Sequence, residues 1–313
     1  MSLFSRPAAL LLCLCFPASA QVGLASVASA PVVPGSSGSM AASPRRFAPQ
    51  AQALGVPREQ CFPLETLAPD LRARAEALLL QALDGEALYT LVGGVKPMSS
   101  GWLSHSFDLD NPDAAKLDEL RQIVATFRVG NEIEAHLHAF ARPFKRKIML
   151  EATLFCRPTL RAMIGEKQQF WNGFGITPAA DPLETLLVTE YGLPAQRFRG
   201  YGYLFGYPQH AVDFFVEASQ KQDADPQKKL VQRDFLSIPT FKSDTNRFVY
   251  AVPKGQAPNA ADEALRQKCA PILAQYRRRR ALFIGEGKPG VVALLRDWFH
   301  NGAGRYSPTF ARF

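Results

Sequence analysis

The chain has 313 residues, of which 36 are Lys or Arg and 28 are Asp or Glu, giving a formal net charge of +8 at neutral pH. Five cysteines are too few for a disulfide scaffold, so a hydrophobic core must hold the fold. The length allows one large domain or two small ones.

The first 20 residues have the three-part pattern of a secretory signal peptide. Arg6 supplies a positive charge, Ala8–Phe16 is an apolar run, and Ala18–Ala20 is a small-x-small cleavage site. The run is too short to span a bilayer, and the alternative is a buried N-terminal helix. We predict cleavage before Gln21 and export to the periplasm or the medium.

Residues 21–57 are rich in Ala, Ser, Pro and Gly and have little large apolar surface to bury. They predict a disordered linker. No Pro/Gly/Ser-rich linker interrupts residues 58–313, which predict a single globular domain. Since no later apolar stretch approaches 18 residues, we expect the mature protein to be soluble, without a transmembrane span.

Periodicity in the core predicts both helices and strands. Helical patterns cover 69–83, 111–129, 158–171, 181–191, 208–219, 260–279 and 289–299. Strand-like stretches cover 87–92, 102–109, 132–140, 147–156, 198–207, 234–240 and 247–252. The third strand pairs with the fourth, and the sixth with the seventh, as antiparallel hairpins. We therefore predict an α+β fold with a mostly antiparallel sheet packed against several helices.

Positive charge is concentrated near the C-terminus. Residues 264–313 contain 10 basic and 2 acidic residues, whereas 58–263 contain 23 and 26. The centre of the basic segment is a run of four arginines, Arg277, Arg278, Arg279 and Arg280. The run predicts binding to an anionic surface or polyanion; the alternative is a solvated helix end. We expect no nucleic-acid partner, because no nucleic-acid-binding module is recognisable.

One strand carries alternating carboxylates and imidazoles. Glu134, His136 and His138 lie at i, i+2 and i+4, on one face of the predicted strand 132–140. Two imidazoles at this spacing can share a divalent transition metal, with Glu134 beside them. The alternative is the wet face of an amphipathic edge strand.

Two further stretches are candidate ligand-binding sites. Tyr201, Tyr203, Phe205 and Tyr207 share a face of the predicted strand 198–207 and form a platform for a ligand such as a sugar ring. The alternative is a core layer. Lys96, Ser99 and Ser100 lie in the Gly-rich segment 93–101, which can bind an anion or simply connect two elements.

The sequence lacks Gly-x-Ser-x-Gly, His-Glu-x-x-His, phosphate-loop and Cys-x-x-Cys motifs. It therefore predicts an exported binding or accessory domain without catalysis. The alternative is a metal-assisted hydrolase that uses the His136/His138 face. Cys61, Cys156 and Cys269 remain after cleavage and allow one disulfide, whose pairing the sequence does not decide.

Overall fold

The computed structural model describes residues 55–143, 145–245 and 247–313. The predicted signal peptide and the linker up to residue 54 lie outside the described residues. The helices are α1 (Pro69–Asp84), α2 (Leu88–Leu91), α3 (Ala114–Ala125), α4 (Arg157–Glu166), α5 (Gln168–Asn172), α6 (Pro182–Glu190), α7 (Pro194–Leu204), α8 (Gln209–Ala224), α9 (Ala260–Phe283) and α10 (Val291–Phe299). The strands are β1 (Met98–Ser99), β2 (Ser104–Asp108), β3 (Ile133–Ala139), β4 (Lys147–Cys156), β5 (Arg233–Ile238) and β6 (Phe248–Pro253).

The larger sheet is built around β4. β3 pairs along one side of β4, and β1 and β2 pair along the other side, all antiparallel. β5 and β6 form a separate antiparallel hairpin. Both predicted hairpins and the α+β single-domain fold are therefore confirmed.

Two predicted strands are wrong. Residues 198–207 were expected to be extended, but most of them belong to α7, which begins with Pro194 in its first turn. Proline suits this position because its missing N–H has no partner in a helix's first turn. The apolar stretch 87–92 is also helical and contains α2. Its residues are fully buried, and a short apolar run has no periodicity that separates a buried strand from a buried helix.

Two clusters of buried apolar side chains make up the core. The larger one joins α1, α3, the hairpin β5–β6, α9, α10 and one face of the main sheet. The smaller one lies under α4, α5 and α7 and includes Trp171, Phe155 and Tyr203. Helices therefore pack on both faces of the main sheet, and on its polar face they bury His138, Glu151 and Thr153.

Cys61, Cys156 and Cys269 are buried free thiols, so the disulfide that the sequence allowed is absent among the described residues. Burial raises the pKa of Cys61 and of Cys269 to about 12. None of the helices in the described ranges is long and apolar enough to cross a membrane.

Candidate functional site

The polar face of β3 is set by its pairing with β4. His138 lies opposite Glu151, and His136 lies opposite Thr153. Directly opposed residues of an antiparallel pair point to the same side of the sheet. Helices cover part of this side, so the interpretation as a wet strand face is wrong for His138, which is 5% exposed like Glu151, whereas Glu134 and His136 are partly exposed.

A small cavity of about 40 Å³ lies between this face and α7, and we call it the polar cavity. Its apolar walls come from Met98, Phe140, Phe198 and Phe205. Its polar lining consists of Ser100, His138, Glu151, Thr153, Arg197 and Tyr201. One water needs roughly 10–15 Å³ of such space, so the cavity has room for about three non-hydrogen atoms.

His138 has unmet hydrogen-bonding capacity in the polar cavity. Neither of its imidazole nitrogens has a hydrogen-bond partner among the described residues. Burial lowers the pKa of His138 to about 4, although the nearby Glu190 carboxylate and the Glu151 carbonyl act in the opposite direction. The Glu151 carbonyl and the His138 ring do not have the distance and angle of a hydrogen bond. At neutral pH the ring is therefore uncharged, with one N–H donor and one bare nitrogen acceptor.

Glu151 is the second titratable group of the polar cavity. Its Oε1 accepts a hydrogen bond of 2.7 Å from the backbone N–H of Gly101. Burial raises its pKa to about 7, against the lowering effect of the Gly101 N–H and the Ser100 hydroxyl. Glu151 therefore exchanges its proton near neutral pH. Buried groups with such shifted pKa values in a cleft are typical of functional sites.

A second buried carboxylate holds α7 against the sheet. Glu190 accepts hydrogen bonds from Arg197 Nε and Nη2 at 3.0 and 2.8 Å, from the Tyr201 hydroxyl at 2.6 Å, and from the Ala141 N–H at 2.9 Å. Burial and the Glu190 carboxylate raise the pKa of Tyr201. Arg197 and Tyr201 are thus fixed in place where they line the polar cavity.

The Gly-rich segment contributes Met98 and Ser100 to the polar cavity, and Lys96 and Ser99 to a neighbouring buried network. Ser100 lines the cavity. Lys96 is fully buried, pairs with Glu86 at 2.5 Å, and lies 4.2 Å from the centre of the Phe248 ring. Ser99 shares a 2.6 Å hydrogen bond with Thr90. Lys96 and Ser99 already have buried partners, so they do not offer a free anion site.

The other end of β3 carries a cluster of charged side chains that we call the Glu134 cluster: Glu134, His136, Arg157 and Asp181. Ligand atoms of Glu134, His136 and Asp181 lie within 4.8 Å of one another, a spacing that suits one metal ion. Arg157 Nη2 donates to Glu134 at 2.9 Å and to Asp181 at 2.8 Å. Burial raises the pKa of Glu134, but interactions with His136 and Arg157 outweigh it and lower the pKa overall.

The four aromatic residues predicted as one platform do not share a face. Tyr201 and Phe205 are one helical turn apart, stack with ring centroids 5.9 Å apart, and both line the polar cavity. Tyr203 packs edge-on against Phe170 in the smaller core cluster. Tyr207 stacks on Phe248. Tyr201 and Phe205 therefore line the cavity, whereas Tyr203 and Tyr207 pack against core residues.

The arginine run of α9 is also divided, because successive helical residues point in different directions. Arg280 makes two hydrogen bonds to Asp84, at 2.7 and 3.0 Å, and lies over Phe241. Arg279 pairs with Asp297 and lies over Trp298. Arg278 donates to Gln275, and Arg277 lies 4.0 Å from Asp244. The four side chains do not form one continuous basic patch.

Sequence reasoning missed Glu151, Glu190 and Arg197. A lone carboxylate within the apolar strand 148–155 was the available signal for Glu151. Glu190 and Arg197 are brought to the sheet by tertiary packing of α6 and α7, which no local pattern reports. Comparison with known proteins adds no relative: no protein-family model, no curated protein and no solved structure matches the chain.

Proposed function

We propose that this protein is a non-catalytic binding protein that takes a small, uncharged polar group into the polar cavity. The observation that carries the proposal is His138, a buried imidazole with both nitrogens unpartnered among the described residues and facing a cavity. A buried polar group without a partner costs about 1–3 kcal/mol, and a ligand that supplies the missing bonds recovers this cost.

The chemistry of the lining favours a carboxamide. Neutral His138 offers a donor and an acceptor together, and a carboxamide presents the matching acceptor and donor. An anion would lie beside the Glu151 and Glu190 carboxylates, while the Arg197 guanidinium is already held by Glu190. The cavity accommodates only the end group of a larger molecule.

Acetamide is the probe that tests this proposal, with acetate and ethylamine as charged comparators of similar size. With four non-hydrogen atoms, acetamide binds with a Kd of tens of micromolar at best. We expect it to shift the imidazole ¹⁵N signals of His138 and to raise the Tm. The Tm increase should disappear in His138→Phe and persist in His105→Phe, since His105 lies on the opposite face of the sheet. Equal effects of acetamide and acetate, or none from either, would refute the proposal.

A second candidate function is metal-assisted hydrolysis, and the Glu134 cluster favours it. Glu134 Oε1 and His136 Nε2 lie 3.5 Å apart and neither has a hydrogen-bond partner among the described residues. Together with Asp181 they offer the oxygen and nitrogen ligands that Zn²⁺ accepts, and bound Zn²⁺ activates water. Arg157 opposes this function, because its positive charge already bridges both carboxylates.

Calorimetric titration with Zn²⁺ tests the second candidate. His136→Ala should abolish binding and His138→Ala should leave it unchanged, because His138 lies outside the Glu134 cluster. Arg157→Gln should tighten binding by removing the competing cation. Loss of binding in both His variants would instead support the ligand pair predicted from the sequence.

We also propose that the protein is exported, on the basis of the signal-peptide pattern in residues 1–20. Intact-mass measurement of the exported fraction should give a chain that begins at Gln21, and retention of Met1 there would refute export by cleavage.

Binding of an anionic surface through all four arginines, 277–280, stays a prediction from the sequence. Replacing all four with Gln should lower the salt concentration needed for elution from heparin if it is correct.

A further inference from the structure

A groove of about 620 Å³ separates the exposed side of α9 from β5 and shares no lining residue with the polar cavity. Ala270 and Ala274 stand one helical turn apart on the α9 wall, and both are exposed. Phe235 and Leu236 of β5 form the opposite wall, with Phe235 45% exposed. The small alanine side chains leave this α9–β5 groove open, and its volume is within the range of small-molecule sites.

Each end of the groove carries an arginine. Arg266 and Arg277 both line it, and their separation of eleven positions along α9 corresponds to roughly 16 Å. Both form only long, exposed ion pairs: Glu263 lies 3.7 Å from Arg266, and Asp244, which also lines the groove, lies 4.0 Å from Arg277. Arg266 Nε also has no hydrogen-bond partner among the described residues. Arg279 and Arg280, by contrast, are engaged by Asp297 and Asp84.

We propose that the α9–β5 groove binds an aliphatic carboxylate, with its chain between the alanine wall and Phe235 and its carboxylate on one of the two arginines. The apolar middle of the groove suits a hydrocarbon chain. A guanidinium with unused donors binds a carboxylate through charge-assisted hydrogen bonds. Two arginines outweigh the one carboxylate of the groove, Asp244, and therefore favour an anionic head group over a neutral or cationic one.

Calorimetric titration of the full chain with dodecanoate, dodecanol and dodecylamine tests the head-group preference. Dodecanoate should bind at least tenfold more tightly than dodecanol, and dodecylamine more weakly than either. Ala274→Trp should abolish dodecanoate binding by filling the groove. Ala274 is exposed, so this variant should retain the wild-type Tm.

Arginine variants then locate the carboxylate. One of the two variants, Arg266→Gln or Arg277→Gln, should weaken dodecanoate binding roughly tenfold, as expected for the loss of a charged hydrogen bond. That variant identifies the arginine that holds the carboxylate. Arg278→Gln is the matched control, because Arg278 is on the same helix but does not line the groove. Three outcomes would each overturn the proposal. Dodecanoate could bind no more tightly than dodecanol, or the Arg278 control could lose as much affinity. The protein could also bind an extended acidic peptide but not dodecanoate.

Discussion

Glu151 couples folding stability to pH. Its pKa is raised by burial from 4.5 to about 7, so between these values the folded protein keeps a proton that the unfolded chain has lost. The contribution of Glu151 to stability therefore falls as pH rises through this window, by about 3 kcal/mol at most, and levels off above it, whereas burial of His138, with its pKa lowered from 6.5 to about 4, acts in the opposite direction. Glu151→Gln mimics the protonated form and keeps the acceptor for the Gly101 N–H. It should be more stable than wild type at pH 8 and equally stable near pH 4.5.

Urea denaturation across this pH range measures the effect. Glu184→Gln is the control, since Glu184 is an exposed carboxylate on α6 and should leave the pH profile unchanged. Parallel profiles for Glu151→Gln and wild type would show that Glu151 titrates as an ordinary carboxylate.

The Lys96–Glu86 pair is the most deeply buried ion pair in the described residues: the lysine side chain is fully buried and that of Glu86 is 10% exposed. Burial lowers the pKa of Lys96, and the Glu86 carboxylate counteracts this only in part. Lys96→Met leaves Glu86 buried without its cation, so we expect a loss of roughly 3–5 kcal/mol. Lys96→Met combined with Glu86→Gln should recover much of it. A double-mutant cycle in denaturant checks this coupling, and additive losses would contradict it.

At the scale of elements, α7 shows why a strand was predicted where a helix forms. Aromatic residues occupy every second position over 201–207, and three of the positions between and beside them are glycine, which is the period of a strand. In the helix the glycines serve close packing: a Cβ on Gly200 would lie 2.8 Å from Thr189 of α6, and one on Gly202 would lie 2.7 Å from Val212 of α8. The need for these glycines comes from packing of α7 against the helices before and after it, so the pattern within 198–207 does not reveal it.

Gly202→Ala tests this packing. The added methyl meets a branched, buried valine, and overpacking of about 1–3 kcal/mol should exceed the gain of about 1 kcal/mol in helix propensity. The variant should unfold at lower denaturant, and Val212→Ala in the same chain should reduce the additional loss. Gly165→Ala in α4 is the control: its Cβ would have 4.0 Å of clearance, so it should stabilise the protein. Stabilisation by Gly202→Ala would contradict the packing role.

The sequence predicted only those parts of the candidate site whose residues lie on one strand. The alternation over 132–140 placed Glu134, His136 and His138 on one face, as the strand register shows. Which of them meet was not predictable, because α7 covers His138 whereas Asp181, at the start of α6, approaches His136. Polar residues on a strand face suggested solvent, yet α7 buries His138, and Glu134 pairs with Arg157 at the start of α4.

At the scale of the whole molecule, the two ends of the described chain are joined. Val56 and Tyr306 exchange backbone hydrogen bonds, both of 2.8 Å. Val56 was predicted to lie in the linker, but it packs against the larger core cluster. Gly130 packs against Val56, and a Cβ added at Gly130 would clash with the Val56 side chain. Residues 55–57 therefore act as part of the globular domain, and a cut made at the predicted boundary removes them.

A chain begun at Arg58 should consequently be less stable than one begun at Gly55. Two lost hydrogen bonds and the lost burial of Val56 amount to about 2 kcal/mol, which lowers the Tm by roughly 4–8 °C in a domain of this size. Val56→Ala in the longer chain isolates the packing contribution and should account for less than half of the decrease, because it retains both hydrogen bonds. Equal melting temperatures for the two truncated chains would place the boundary at residue 58, as the composition of the linker suggests, and would make the Val56–Tyr306 pairing irrelevant to stability.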